Sequence, residues 1–399
     1  MTPPALSPLQ ASEQTAQETS AGISLPFDPL LTLAVIGLGI CSALTLKVAT
    51  AGTIPGDPHY FFKRQIVYLI VGFLAMLGVS RLDYGWLRRF QRPIYALLIL
   101  SILAVLALGS ETLGSTRSIS LPGFSFQSSE IGKLLLIVFL SGFVVDRARR
   151  LRDRDTTIKV LALALVPTIL VFKEPDIGSG LVFIAIALTI LFVAGVPWRH
   201  IAAILLLGVI ALTIVLAVAP ALGVHLLQKY EVERLTGFLN PTAHVENKLV
   251  YQELQSKIAI GAGRQTGMAG VGSSEFGLVP ERETDFIFAS LSVARGFVGA
   301  AFVLSLYALM IWRGLRILSM AKDLYGSLIA GGVVAMLMFQ VFVNVGVTIG
   351  ILPITGITLP LMSYGGSSVL STMLAVGLLQ SIYLRARSTE AMKGRVLRW

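Results

Sequence analysis

Ten runs of mostly apolar residues, each about one bilayer crossing in length, leave this chain few ways to fold. They fall at 29–51, 62–80, 93–109, 128–146, 157–173, 177–195, 201–220, 286–312, 326–347 and 361–384. Hydrocarbon offers no water to an unpaired backbone, so a chain crosses it as helices or as a closed barrel. Barrel strands would read as short segments of alternating polarity, and no such pattern is present. The chain therefore reads as an all-α integral membrane protein of about ten transmembrane helices. Its composition agrees, at 55% hydrophobic and 14% charged.

The net charge of +10 would suit a nucleic acid, but the basic residues lie mainly in connections between spans. One side carries Arg81, Arg88, Arg89 and Arg92, then Arg147, Arg149, Arg150, Arg152, Arg154 and Lys159. Arg199, Arg313, Arg316, Lys322 and a basic tail at 386–399 fall on that side too. The short connections opposite offer only Lys63, Arg64, Arg117 and Lys173. This asymmetry places both termini in the cytoplasm and leaves no role for nucleic acid. Residues 1–27 have no Lys or Arg and read as a disordered cytoplasmic tail, with the first span retained as an anchor. A polytopic domain fills 28–385. The single cysteine, Cys41, lies inside the first span, so no intramolecular disulfide is possible.

One stretch breaks the pattern. The large extracytoplasmic loop between helices 7 and 8, residues 221–285, is too polar to cross and too long for a connector. It gathers glycines, Arg234, Lys248, Lys257 and Arg264, then an acidic run of Glu281, Glu283 and Asp285. Loops of this kind usually carry function. The basic side has only short loops, with no room for a nucleotide-binding domain. Any chemistry belongs outside or within the membrane.

Several residues admit two readings. Glu130 and Lys133 are three apart and share a helix face; Ser128 or Ser129 would cap that helix, but a cap does not explain the lysine. Asp176, in Glu174-Pro175-Asp176, is either the cap of the sixth span or a carboxylate at the outer lip. Asp285 is either the cap of the eighth span or a base whose pKa neighbouring acids raise. Gly261, Gly263, Gly267, Gly270 and Gly272 form a flexible loop or, beside Arg264, an anion nest. No strand precedes them, which excludes a dinucleotide fold. The stretch 352–368 is a proline-bounded connection that supplies hydroxyls, Ser363 among them, and free backbone.

Taken in order, FLNP at 238–241, YQELQSKIAI at 251–260, PE-x-x-TDFIFA at 280–289, EPDIG at 174–178 and LPITGITLPLMSYGGSS at 352–368 resemble the SEDS family of RodA and FtsW. The resemblance spans nearly the whole chain from about residue 30. It implies a peptidoglycan glycosyltransferase of the bacterial cytoplasmic (inner) membrane. Such enzymes polymerise lipid II, an undecaprenyl-diphosphate-linked disaccharide pentapeptide, into glycan strands for elongation or division, with a class B penicillin-binding protein as partner. It matches Asp285 to the family's essential loop carboxylate, expected here as the catalytic base, and Glu130 and Lys133 to an FQPSE-x-x-K segment. Lys133, Arg117, Arg234 and Arg264 are then candidates for the diphosphate, and Glu130, Asp176, Glu281 and Ser363 for other substrate contacts. A divalent cation could replace the basic residues; no other cofactor is expected.

The chain departs from the family pattern at three places. A GARRW-like segment reads Gly114-Ser115-Thr116-Arg117-Ser118, FQPSE reads FQSSE, and a Glu-Glu pair is replaced by Val293 and Ala294, with Arg295 following. Two other functions fit the same residues: a lipid II flippase, and a non-catalytic scaffold for a penicillin-binding protein.

Overall fold

The computed structural model describes residues 27–51, 53–112, 115–121, 124–218, 248–268 and 280–396, with positions 232 and 238. The helices in chain order are α1 (Pro29–Ala49), α2 (Tyr60–Arg81), α3 (Tyr84–Leu108), α4 (Ser128–Val145), α5 (Arg154–Lys173), α6 (Ile177–Val193), α7 (Trp198–Thr213), α8 (Lys248–Ala262), α9 (Ile287–Met320), α10 (Leu324–Thr348) and α11 (Gly366–Val396). Among the described residues nine of these are long and apolar enough to cross a membrane. The tenth expected span, α6, has 17 residues, about 26 Å of helix. The chain is a multi-pass membrane protein.

Local chemistry sets several helix starts. Asp28, Asp83 and Asp323 each stand before a helix and accept a backbone N–H from its first turn, at 2.9, 2.9 and 2.7 Å. All three lie at the arginine-rich end. Asp28 is also paired with Arg313 of α9, and its own N–H donates to Gln380 of α11 at 2.8 Å. Three distant helices are thus tied at one buried residue, α9 through its carboxylate and α11 through its backbone.

Packing is graded. In the most apolar 18-residue stretch of α4 and of α10 78% of the residues are buried, and 83% in that of α11, whereas in that of α7 only 6% are. Close approach in the centre uses small residues, as membrane helices do when solvent no longer drives association. A Cβ on Gly377 of α11 would sit 2.9 Å from the Met76 carbonyl of α2.

Three features differ from the sequence reading. Residues 110–126 form a three-stranded antiparallel sheet, β1 (Ser110–Thr112), β2 (Ser115–Leu121) and β3 (Phe124–Phe126), so the chain is not purely helical. The sheet pairs backbone groups that a plain loop would leave unmet at the membrane surface. The eighth span runs to Met320 and is broken at Gly296, where φ 62° and ψ −163° interrupt the helix. The final helix continues to Val396, past the tail boundary expected at 386.

Candidate active site

The start of α4, the α5–α6 turn, the connection into α11 and the loop before α9 meet at the end of the bundle opposite the arginines. Ser128 and Ser129 open α4, yet neither caps it. Their hydroxyls donate instead to the α5–α6 turn: Ser128 Oγ to Glu174 Oε1 at 3.1 Å, and Ser129 Oγ to Asp176 Oδ2 at 2.8 Å. Asp176 caps α6, as one of its two readings expected, and also serves the start of α4. Its Oδ1 accepts the Ser179 N–H at 3.0 Å, capping α6, while Oδ2 also accepts from Gln127 Nε2 at 3.2 Å. Both acids are fully buried, and carboxylates survive there only with such donors.

One turn further along α4, Lys133 Nζ lies 2.8 Å from Glu130 Oε1, with side-chain exposures of 1% and 4%. Thr358 Oγ1 donates to the same carboxylate oxygen at 3.2 Å and shares a hydrogen bond with Ser368 at 3.0 Å. The shared helix face is therefore real, and the two charges are turned on one another. This closed pair has no open face toward a ligand.

Asp285 sits in a half-buried turn formed by 280–286. It does not cap α9: Phe286 occupies that position, and no side chain bonds the first turn. The turn is held through its backbone. Asn344 of α10 donates to the Asp285 carbonyl at 2.9 Å and to the Ile357 carbonyl at 2.8 Å. Ser363 Oγ donates to the Thr284 carbonyl at 2.7 Å and accepts the Leu359 N–H at 2.8 Å. Tyr364 N–H reaches the Glu283 carbonyl at 2.8 Å. Ser363 is thus buried and engaged on both sides, a brace for the Asp285 turn rather than an open hydroxyl. Glu281 has φ 49°, and its carbonyl accepts the Phe286 N–H at 3.2 Å, closing the turn. Burial, reinforced by the Glu281 carboxylate, pushes the Glu283 carboxyl up.

Residues 357–358 join the two groups. Ile357 shares Asn344 with Asp285, and the next residue, Thr358, reaches Glu130. The connection after α1 also reaches the Asp285 turn, where Thr53 Oγ1 accepts from Arg282 at 2.7 Å.

In its described part, Gly261, Gly263 and Gly267, the glycine cluster is neither a loose loop nor an anion nest. Gly263 and Gly267 lie against the backbone of α9: a Cβ on either would fall 2.0 Å from the Ser292 carbonyl or 2.5 Å from the Ala294 carbonyl. The carbonyls of Arg264 and Gln265 accept the Phe297 and Val298 N–H groups that the break at Gly296 frees. Arg264 is accordingly at the α9 break, exposed, and not grouped with Glu130, Lys133 and Asp176. Arg234, Gly270, Gly272 and the Arg117 side chain lie outside the described residues. Val293 and Ala294, at the positions of the family's Glu-Glu pair, are buried, which suits apolar side chains.

Sequence reasoning missed Asn344, Glu174 and Thr358. Asn344 had a visible signal, a strong polar group inside an apolar span. Among the described residues no three of His, Cys, Asp and Glu cluster as metal ligands.

Residues 27–388 match the model of the FtsW, RodA and SpoVE family, described as cell cycle protein. The chain belongs to this family. Stage V sporulation protein E of Bacillus subtilis (strain 168) is 34% identical over 375 residues, which cover 92% of this chain and 98% of that protein. A protein named probable peptidoglycan glycosyltransferase FtsW, from Thioalkalivibrio sulfidiphilus (strain HL-EbGR7), is 35% identical over 400 residues, covering 97% of each. Among solved structures, a chain of a peptidoglycan synthase complex, described as coordinating polymerization and crosslinking, superposes with a TM-score of 0.75 at 30% identity. That match covers 91% of this chain and 99% of the other. As a SEDS protein, this chain carries its EPDIG, TDFIFA and LPITGITLPLMSYGGSS stretches on the elements that meet around Asp285 and Glu130, while residues 239–241 of FLNP lie outside the described residues.

Proposed function

We propose that this SEDS protein is a peptidoglycan glycosyltransferase that polymerises lipid II at the outer face of the bacterial cytoplasmic membrane, with both termini inside. The observation that carries this reading is the Asp285 turn: a carboxylate on a half-buried loop, braced by three backbone contacts from α10 and the connection into α11. These contacts fix where the Asp285 residue stands at this end of the bundle.

In the reaction, an acceptor sugar 4-hydroxyl attacks C1 of a second lipid-linked disaccharide. Asp285 takes the hydroxyl proton, the new C–O bond forms with inversion, and undecaprenyl diphosphate departs with the bonding electrons. General-base help of this kind contributes about 10²–10⁴-fold. The leaving diphosphate needs positive charge, for which Arg264, Arg117 and Arg234 are the candidates. Lys133 serves if its pair with Glu130 opens. A divalent cation, which a carboxylate of the site would help to hold, would be the alternative source of positive charge for the diphosphate. Glu130, Lys133 and Asp176 hold the walls of the site, and Glu281 and Ser363 hold the turn. A class B penicillin-binding protein is the proposed partner, consistent with the solved synthase complex.

The test is purified protein, with and without that partner, given labelled lipid II in the presence of penicillin. Glycan strands that vanish with Asp285→Ala are the expected result. Absence of polymer under every condition would overturn the reading; lipid II translocation in vesicles would then identify a flippase, and growth complementation by Asp285→Ala a scaffold.

A further inference from the structure

At the other end of α4, where it meets the start of α3 and the middle of α5, the helices part around a cavity of about 880 Å³. Its floor is apolar and well ordered. Tyr95 stacks on Phe139 with ring centroids 4.2 Å apart, and its hydroxyl donates to the Leu163 carbonyl at 3.0 Å. Phe143 completes the floor, with the Arg147 guanidinium 3.7 Å over its ring. The rim is basic: Arg92 from α3, and Arg147, Arg149 and Arg150 from the turn after α4. The one acid there, Asp146, is already paired with Arg88 at 2.7 Å. Among the described residues Arg92, Arg149 and Arg150 make no ion pair.

We propose that this cavity is a binding site for an anionic phospholipid of the adjoining leaflet. The phosphate lies among Arg92, Arg149 and Arg150, and an acyl chain runs over Tyr95, Phe139, Phe143 and Leu163. Topology alone explains basic residues on this side of the membrane. It does not explain why they ring a cavity with an aromatic floor, or why no carboxylate neutralises three of them. A soluble anion would use the rim and leave the floor uncovered. A lipid uses both, which is how basic pockets between membrane helices hold anionic head groups. The leaflet is the cytoplasmic one in the orientation proposed above, but the binding itself does not depend on that orientation or on the glycosyltransferase reading.

The experiment is native mass spectrometry of the full chain released from nanodiscs of equal phosphatidylglycerol and phosphatidylcholine. The expected result is bound phosphatidylglycerol in excess of phosphatidylcholine by about tenfold or more. The triple variant Arg92→Gln/Arg149→Gln/Arg150→Gln should fall to parity. Because that variant alters the topological signal, Leu163→Trp is the companion: it fills the floor, keeps every charge, and should also lose most of the excess. Parity in the unaltered protein, or full retention in Leu163→Trp, overturns the proposal. So does displacement of the lipid by inorganic pyrophosphate at concentrations that leave phosphatidylcholine untouched, which would mark a site for soluble anions.

Discussion

Two acidic groups at the same end of the molecule, linked through Asn344 and residues 357–358, stand under opposite conditions. Glu130, Glu174 and Asp176 are sealed among α4, α5 and α6, each with donors from serine, threonine or lysine side chains. Asp285 is half-buried on a turn whose bonds run through the main chain. The first arrangement suits a structural role, because a buried charge that loses its partner destabilises its surroundings. The second suits chemistry, because the scaffold fixes the position of the residue through the main chain of its turn. Asn344 and the 357–358 segment connect the two, so geometry set in the buried group reaches the turn.

The comparison can be broken most sharply at Asp285. Asp285→Asn should lower lipid II polymerisation by about 10²–10⁴-fold while leaving the thermal unfolding midpoint in detergent unchanged. A parallel loss of stability would merge the two groups into one structural cluster. The buried pair should respond in the opposite sense. Lys133→Met alone strands Glu130 and should cost about 3–5 kcal/mol of stability, whereas Glu130→Gln/Lys133→Met together should recover most of it. Thermal unfolding of the two variants reads this directly, and equal stability of single and double variants would refute the pairing.

Asn344→Leu tests the connection. It removes the donor that holds both Asp285 and Ile357, at about 1–3 kcal/mol for the carbonyls left unmet. Turnover should fall by up to about 10²-fold, the scale reached when a catalytic group is misplaced by about 1 Å rather than removed. An unchanged turnover number would show that the Asp285 turn is positioned without α10. The smallest expected effect concerns Glu283. Its carboxyl titrates above the 4.5 of an unburied glutamate, so the fold favours the protonated form. That stabilisation is complete below pH 4.5 and is lost as pH rises through the folded-state value. Glu283→Gln should flatten this part of the stability–pH curve; an identical curve would show that Glu283 does not titrate in the folded turn.

Much of the architecture was legible because bilayer crossing imposes a length and a composition that a sequence displays openly. The ten spans, the basic side and the Asp176 cap follow from hydropathy, loop charge and turn chemistry. The motifs of 280–289 and 352–368 likewise marked where the chain would gather. Other readings needed partners that no local pattern reveals. Ser128 and Ser129 looked like caps because Ser before a helix commonly is one, but the buried acids of the next turn compete for their hydroxyls and win. Gly263 and Gly267 looked like loop glycines because the backbone they press against lies about thirty residues away. The arginines after α4 read only as topology until α3 and α4 supplied an aromatic floor and α5 closed it with Leu163. Hydropathy is a property of each segment, so the sequence alone determined that this chain crosses a membrane about ten times and where. Hydrogen-bond partnership and cavity shape are properties of pairs of segments, so only the tertiary structure decided which charges are closed on one another and which carboxylate stands on a braced turn.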